Sequence, residues 1–219
     1  MGSAVCRALL RGGARVAFTY HRRPVDLPGA EGFAADLSRF DDASAVVGKA
    51  ASALGGLDVL VQCAGAVGAD SQARLADIDE AELDAMLALT VKSTFAAVRA
   101  ALEPLSASKG RVILVGSLDG LKPLPSPVHY AAAKGALLGM TGALAQELGP
   151  KGILVNLVAL GLLEGGMSGV VSKAKRDDYV KHASMRRAGS AAEAAELVDW
   201  LARDNTYVTG QAFVLDGGL

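Results

Sequence analysis

Two residues near the middle of the chain could share a proton-transfer site. Tyr130 and Lys134 lie four residues apart in the Ala-rich run Y-A-A-A-K, a composition that favours a helix. Side chains four residues apart project from one helix face, about 6 Å apart along the axis. A tyrosine ordinarily ionises near pH ~10, and a nearby cation lowers that pKa. The pair could therefore donate and accept a proton near neutral pH.

A serine hydroxyl is expected to join this pair. Ser117 follows the apolar run from Val112 to Val115, which is typical of a buried strand. Open α/β sheets bind ligands at the carboxyl ends of their strands, so the Ser117 hydroxyl could hydrogen-bond a substrate carbonyl. A Tyr-x-x-x-Lys pair also occurs by chance on helices with a buried tyrosine and a solvated lysine. Other parts of the chain must decide between these two readings.

The composition is that of one globular domain over residues 1–219. The chain is 51% hydrophobic with a formal net charge of −1, enough to bury a large core. It has no basic patch suited to nucleic acid, and its uncharged apolar stretches are shorter than a membrane span. The first residues lack a signal-peptide pattern, and Cys6 and Cys63 have neither metal-ligand spacing nor a disulfide framework. We expect a cytoplasmic protein without a metal site.

The sequence pattern predicts alternating helices and strands. Helices are expected over residues 2–11, 41–54, 80–102, 130–148 and 191–202, and strands over 14–20, 32–38, 57–65 and 112–115, with two more inside 149–161 and 208–218. This alternation predicts an α/β fold with a doubly wound, mostly parallel sheet and helices on both faces. Residues 164–187 are rich in Gly, Ser, Lys and Arg and are expected to form a loop over the substrate.

Taken together in chain order, several motifs resemble the short-chain dehydrogenase/reductase family, and bacterial 3-oxoacyl-ACP reductases in particular. They are D-V-L-V-Q-C-A-G at 58–65, Ser117, Y-A-A-A-K, I-L-V-N at 153–156, V-T-G-Q at 208–211 and D-G-G at 216–218. The resemblance implies a Rossmann-like fold and nicotinamide-dependent reduction of a carbonyl group held by Ser117. Tyr130 would deliver the proton, while Lys134 would lower the tyrosine's pKa and bind the nicotinamide ribose.

The resemblance also implies a cofactor path. The aligned positions are Gly2, Tyr20, Arg22, Arg23, Asp36, Leu37, Cys63, Ala64, Gly65 and Gly161, with Tyr130 and Lys134. Arg22 and Arg23 offer guanidinium groups suited to a 2′-phosphate and so indicate NADP(H), although either could be a solvated loop arginine. Asp36 aligns with the acidic residue that holds the adenine ring. Alternatively, Asp36 or Ser38 caps the helix that follows.

The resemblance further implies particular partners. They are a small-molecule or acyl-thioester substrate, an acyl carrier protein, and other subunits in a homodimer or homotetramer. The positive charges of residues 164–187 would suit a phosphopantetheine or an acidic carrier protein, or they form a solvated charged surface. A paralogous subunit could also take part in the assembly.

Some residues depart from the family pattern. Thr90 stands where an asparagine holds a relay water beside the lysine, and its hydroxyl could bond that water or the carbonyl four residues earlier. Gln62 and Cys63 replace two asparagines, Leu160 replaces a proline, and Gly165 stands where a threonine often contacts the cofactor. These changes support a second hypothesis, in which the chain is a catalytically impaired subunit that supports a competent paralogue.

The largest departure concerns the N-terminal part of the pattern. In the family, a strand and a T-G-x-x-x-G-x-G turn precede the first helix, whereas here only Gly2 can match, as the last glycine. The first strand, absent here, would lie at the centre of the sheet, between the strands expected at 14–20 and 57–65. We expect the gap to be closed by direct pairing of those two strands, by a partner's surface, or by a segment encoded upstream of Met1.

Overall fold

The computed structural model of the chain describes residues 1–66, 73–122, 124–165 and 171–219. The strands are β1 (Val16–Tyr20), β2 (Ala30–Ala34), β3 (Val59–Gln62), β4 (Arg111–Ser117), β5 (Leu154–Leu160) and β6 (Ala212–Leu215). The helices are α1 (Gly2–Arg11), α2 (Phe40–Leu54), α3 (Glu80–Leu87), α4 (Ser93–Ser108), α5 (Val128–Leu148), α6 (Lys173–His182) and α7 (Ala191–Arg203). The predicted alternation of helices and strands is confirmed.

The strands of the described residues form two parallel sheets. β1 pairs with β2, and the second sheet has the order β3-β4-β5-β6, every pairing being parallel. α1 and α7 pack on one face, where Val5 and Ala8 join Ile113 and Val198 in a buried cluster. α2, α4 and α5 pack on the other face. Parallel sheets with helices on both faces confirm the expected Rossmann-like α/β class.

The gap at the centre of the sheet is not closed by direct pairing. In the part of the chain that the structure describes, β1 pairs with β2 alone and β3 with β4 alone. The expectation that these two strands could pair is therefore wrong. α1 contacts β1 and packs against Val59 and Val61 of β3, so this helix joins the two sheets through side-chain packing. Helix packing therefore holds β1 and β3 in place relative to each other, and no backbone ladder joins these two strands among the described residues.

Three predicted segments differ from the structure. The strand expected over 32–38 ends at Ala34, so Asp36 lies in the following turn. The helix expected over 80–102 consists of α3 and α4, joined by a π-helical turn at Ala88–Lys92, and continues to Ser108. The loop expected over 164–187 contains α6, and its residues 166–170 lie outside the described residues.

The segment Glu80–Ser108 is also long and apolar enough to cross a membrane by length and composition. Its apolar residues serve the core of the domain. Ala96, Ala101 and Leu105 are completely buried, and α4 packs against both α2 and β3. A core helix of this kind passes the same hydropathy test as a membrane span.

Candidate active site

The carboxyl end of β4 and the first turns of α5 bring together the three residues expected to do chemistry. Ser117 is the last residue of β4, and Tyr130 and Lys134 lie on one face of α5. Their exposed fractions are 7%, 6% and 3%, so all three are buried. Ser117 acts to lower the pKa of the Tyr130 phenol, and Lys134 Nζ lies 5.9 Å from the centre of the Tyr130 ring.

A close backbone contact fixes α5 relative to Ser117. The short turn Leu118–Gly120 follows β4 and packs directly on the helix. A Cβ atom on Gly120 would lie 2.6 Å from the carbonyl carbon of Lys134, a distance that real Cβ contacts do not adopt. Glycine at this position therefore allows the turn to approach α5 closely enough for Ser117 and Tyr130 to meet.

Lys134 has an unusual electrostatic environment. Its Nζ donates a hydrogen bond of 3.1 Å to the carbonyl oxygen of Val115. Burial lowers the pKa of Lys134 from 10.5 to about 8, although Cys63 and Asp119 act to raise it. Desolvation disfavours the charged form of a buried lysine. The ammonium is therefore charged near neutral pH and loses its proton more readily than an exposed lysine.

The pKa of Tyr130 is shifted in the direction opposite to the sequence expectation. Burial raises the pKa of the Tyr130 phenol, the hydrogen bond with Ser117 acts to lower it, and the charge of Asp119 acts to raise it. The expected lowering by Lys134 is therefore wrong for this structure, because burial dominates and the ammonium is bonded to the Val115 carbonyl. At neutral pH the tyrosine carries its proton, as a proton donor must.

Asp119 is a site residue that sequence reasoning missed. Ser117 Oγ donates to Asp119 Oδ2 at 2.6 Å, and the Asp119 backbone N–H donates to Ser117 Oγ at 3.4 Å. The carboxylate acts to raise the pKa values of both Tyr130 and Lys134. A serine two residues before an aspartate, directly after a strand, is typical of a side-chain-capped turn. This sequence pattern could have predicted the contact between Ser117 and Asp119.

Thr90 lies in the π-helical turn, which packs against α5. Its side chain is buried, and its hydroxyl points to Met86 Sδ at 3.8 Å. The hydroxyl of Thr90 therefore contacts the residue four positions earlier, as the structural alternative predicted. The contact is made with the sulfur of that residue, whereas the prediction named its carbonyl. The carbonyl of Thr90 accepts a 2.6 Å hydrogen bond from Thr94 Oγ1. Among the described residues these contacts give Thr90 a packing role and do not link it to Ser117, Tyr130 or Lys134.

The turn after β3 borders Lys134. A Cβ atom on Gly65 would lie 3.3 Å from Lys134 Nζ, so the space beside the ammonium suits a glycine. Burial raises the pKa of the neighbouring Cys63 thiol to about 12, and Ala64 between them is half-buried. The buried Gln62 side chain donates a 3.1 Å hydrogen bond to Ser93 Oγ and thereby ties β3 to α4.

The ends of β1 and β2 lie together at the expected adenosine position. Tyr20 ends β1, and His21 after it lies 3.8 Å from the Asp36 carboxylate. A hydrogen bond from the Ser38 hydroxyl, 2.6 Å long, lowers the pKa of Asp36. Asp36 and Ser38 do not cap α2, because Arg39 occupies the N-cap position without a side-chain bond. That alternative is wrong, and the half-buried Leu37 completes this turn.

Arg22 and Arg23 are exposed just after β1. Neither forms an ion pair within the ranges that the structure describes. Their side chains are thus open to solvent. This exposure is compatible with both interpretations of the two arginines, a phosphate site and a solvated loop.

The whole chain matches one family of enzymes. The family model described as enoyl-(acyl carrier protein) reductase covers residues 1–219. The chain belongs to the short-chain dehydrogenase/reductase family. Membership supports oxidoreductase chemistry on a carbonyl group with a nicotinamide cofactor.

Individual members of the short-chain dehydrogenase/reductase family are similar over most of their length. The chain is 29% identical to acetoacetyl-CoA reductase from Allochromatium vinosum over 233 residues, which cover 100% of this chain and 94% of that protein. It is 32% identical to 3-oxoacyl-[acyl-carrier-protein] reductase from Chlamydia muridarum over 186 residues, covering 84% and 74%. A short-chain dehydrogenase from Burkholderia cenocepacia, solved in complex with NADP, has a TM-score of 0.89 at 30% identity, covering 99% and 92%.

The residues present fit part of the cofactor that the short-chain dehydrogenase/reductase family uses. Lys134 and Tyr130, which lie beside the turn at Gly65, offer donors suited to a ribose. α1 begins at Gly2 without a side-chain cap and without an acidic residue in its first turn, so its free N–H groups suit a pyrophosphate. The cofactor position expected at Gly161, in contrast, is occupied by the Tyr179 side chain. A Cβ atom on Gly161 would overlap the Tyr179 hydroxyl, which donates to the Asp216 carbonyl at 2.6 Å.

Proposed function

We propose that this chain reduces the keto group of a 3-oxoacyl thioester, or of a related ketone, with NADPH. One observation carries the proposal. Ser117 at the carboxyl end of β4 and Tyr130 on α5 are both buried, Ser117 acts to lower the pKa of the tyrosine, and the Lys134 ammonium lies 5.9 Å from the tyrosine ring. A buried lysine without catalytic use would be costly to the fold, whereas here it lies at a proton donor.

The proposed roles follow from the protonation states. Bound NADPH would supply the hydride for the carbonyl carbon. Tyr130, whose pKa is raised by burial, holds its proton at neutral pH and would donate it to the carbonyl oxygen as that oxygen gains negative charge. Ser117 would turn its hydroxyl from Asp119 to the same oxygen and orient it. The Lys134 ammonium would stabilise the tyrosinate that remains.

NADPH is proposed over NADH because of the charges after β1. Arg22 and Arg23 are exposed just after β1, and two guanidinium groups suit a ribose phosphate. The solved relative from Burkholderia cenocepacia is in complex with NADP. Both points support the proposal.

The substrate class is proposed from the relatives and from the segment after β5. Two relatives carry the names acetoacetyl-CoA reductase and 3-oxoacyl-[acyl-carrier-protein] reductase. In α6, the Lys175 ammonium donates to the Pro125 carbonyl at 3.2 Å, which brings a positive charge near the start of α5. We propose a cytoplasmic homodimer or homotetramer that accepts an acyl thioester, including one carried by an acyl carrier protein.

The second candidate function is support of a competent paralogous subunit with little catalysis by this chain. The contacts of Thr90 favour it, because the Thr90 hydroxyl points to Met86 Sδ and among the described residues does not reach the lysine at the site. Titration with NADPH separates the two candidates, since a ligand that binds the folded state raises the melting temperature. Absence of fluorescence change and of thermal stabilisation would favour the supporting role.

Substitution of the tyrosine tests the catalytic proposal. Tyr130→Phe should remove NADPH-dependent reduction of an acetoacetyl thioester while NADPH affinity stays nearly unchanged, because only the proton donor is lost. Lys134→Ala should weaken NADPH binding as well, since the ammonium would also hold the ribose. Tyr207→Phe is a matched control, because Tyr207 is 92% exposed. An unchanged kcat in Tyr130→Phe would contradict the proposal.

A further inference from the structure

The contact between α3 and α5 contains a buried polar pair that the proposed chemistry does not use. His129 lies in the first turn of α5 and is 2% exposed. Its Nε2 atom lies 3.6 Å from Oε1 of Glu82 on α3. Among the described residues, neither ring nitrogen of His129 has a hydrogen-bond partner, and neither has this oxygen of Glu82. Three polar atoms are therefore withdrawn from water without a hydrogen bond to replace it.

Such a pair is unfavourable to the stability of the fold. Withdrawal of a polar atom from water without a hydrogen bond costs free energy, and folded proteins contain few buried polar atoms without a partner. Apolar side chains of similar size would pack between α3 and α5 without this cost. The pair between Glu82 and His129 is thus better explained by a function than by a contribution to stability.

α3 supports the helix of the proton donor at two successive residues. Glu82 faces His129 across the contact between the helices. Met86, four residues later on α3, packs with Tyr130. Since residues four apart lie on one helix face, the same face of α3 supports both residues of α5. The first turn of α5 has no side-chain cap at Pro127, so the contact with α3 contributes to its position.

The distance between the two side chains is slightly too long for a hydrogen bond. An N–H···O hydrogen bond is about 2.7–3.2 Å long, whereas Nε2 of His129 lies 3.6 Å from Oε1 of Glu82. A shift of about 0.5 Å would close this difference. In the tautomer with its hydrogen on Nε2, the imidazole donates and the carboxylate accepts. A small movement of α5 toward α3 would therefore form the bond.

We propose that Glu82 is a positioning residue for Tyr130 that acts through His129. When Tyr130 engages the substrate carbonyl, the first turn of α5 moves toward α3, and His129 Nε2 donates a hydrogen bond to Glu82. This bond holds the phenol at the oxygen that it protonates. The inference rests on the proposed function, because it takes Tyr130 as the proton donor. The free energy of the bond goes into orienting Tyr130, so its loss should lower kcat and leave KM nearly unchanged.

The ring N–H signal of His129 in NMR spectra reports the hydrogen bond without a need for turnover. The full chain is prepared with isotope-labelled histidine, and His129 is identified among its three histidines by the signal that is lost in His129→Gln. The ligands are NADP⁺ and acetoacetyl-CoA, which cannot react because the cofactor is already oxidised. Both ligands together should slow the exchange of the His129 ring N–H with water, and Glu82→Leu should abolish this effect. Equal exchange with and without the ligands would overturn the inference.

Turnover is compared in matched variants of α3. Glu82→Leu should lower kcat about tenfold through loss of one charge-assisted hydrogen bond, with KM and NADPH affinity nearly unchanged. Glu82→Gln keeps an acceptor oxygen and should retain most of kcat. Glu80→Leu is the control, because it makes the same change at an exposed position of the same helix. Equal kcat in Glu82→Leu and Glu80→Leu would rule out the positioning role.

A double variant separates positioning from a structural role. Glu82→Leu combined with His129→Leu replaces the unpaired atoms by apolar side chains, so its melting temperature should stay the same or rise while kcat stays low. A melting temperature that falls together with kcat would indicate a structural role and overturn the inference. Failure of the proposed function has a different signature, namely unchanged kcat in Tyr130→Phe.

Discussion

Ser117 Oγ donates a 2.6 Å hydrogen bond to Asp119 Oδ2, so the hydroxyl beside Tyr130 is engaged by a carboxylate two residues later. A carbonyl substrate would have to replace Asp119 as the acceptor. The same carboxylate acts to raise the pKa of Tyr130. Asp119 thus links the orientation of the serine to the protonation of the tyrosine.

Removal of the Asp119 charge should move the pH dependence of the reaction. In Asp119→Asn the negative charge that acts to raise the pKa of Tyr130 is lost, so the tyrosine should lose its proton at a lower pH. The alkaline fall of kcat/KM should therefore shift to lower pH, measured between pH 6 and pH 10 with a ketone substrate. Asp26→Asn, at an exposed position, is the control. A shift to higher pH would contradict the assigned role.

The stability of the chain should depend on pH through Lys134. Its pKa is about 8 in the folded protein against 10.5 ordinarily, so between these pH values the unfolded chain holds more protons. Stability should then rise from pH 8 to pH 10.5, by at most about 3 kcal/mol. Lys134→Met should abolish this rise in urea unfolding, whereas Lys151→Met, at an exposed lysine, should keep it. The same slope in both variants would exclude Lys134 as its source.

Two glycines near or on α5 should respond oppositely to alanine. Gly120→Ala places a Cβ atom 2.6 Å from the Lys134 backbone, and we expect it to destabilise the chain by about 1–3 kcal/mol and to reduce turnover. Gly139→Ala has nothing within 4 Å of the new atom and lies inside the helix, so it should stabilise by about 0.5–1 kcal/mol. Thermal unfolding of both variants is the measurement. Equal effects would show that the contact at Gly120 is not tight.

Cofactor preference should depend on the two arginines after β1. Replacing both Arg22 and Arg23 by Ala should weaken NADPH binding and leave NADH binding unchanged, because only NADPH has the 2′-phosphate. Each charge-assisted hydrogen bond contributes about 1.5–3 kcal/mol. Fluorescence titration measures both affinities, with Arg15→Ala, exposed before β1, as the control. Tighter binding of NADH than NADPH by the unmodified chain would refute the NADPH proposal.

Those parts of the site that depend only on local spacing were predicted from the sequence. Tyr130 and Lys134 share a helix face by helical geometry alone, and Ser117 is placed by the end of a buried strand. Asp119 was missed because its contact with Ser117 depends on the turn conformation after β4. The shift of the Tyr130 pKa was predicted in the wrong direction because burial, a tertiary property, outweighs a neighbouring charge.

The positions of the helices and strands were also predicted from the sequence, whereas the pairing of the strands was not. Periodicity located the helices and strands but could not decide whether β1 and β3 pair, because pairing depends on distances across the sheet. The π-helical turn at Ala88–Lys92 was also missed, because the apolar pattern shows that a segment is helical but does not distinguish i→i+5 from i→i+4 hydrogen bonds within a single turn.

Because of that π-helical turn, the site depends on the number of residues between α3 and α4. Met86, before the turn, packs with Tyr130 and Ala133, whereas Ala97 and Ala101, after it, face the cluster that contains Val112. Each residue of an α-helix turns the following residues by about 100°. Deleting any one residue between 88 and 92 would therefore rotate all of α4 by that angle relative to α3. Insertions and deletions should be excluded from this turn even where its side chains can vary.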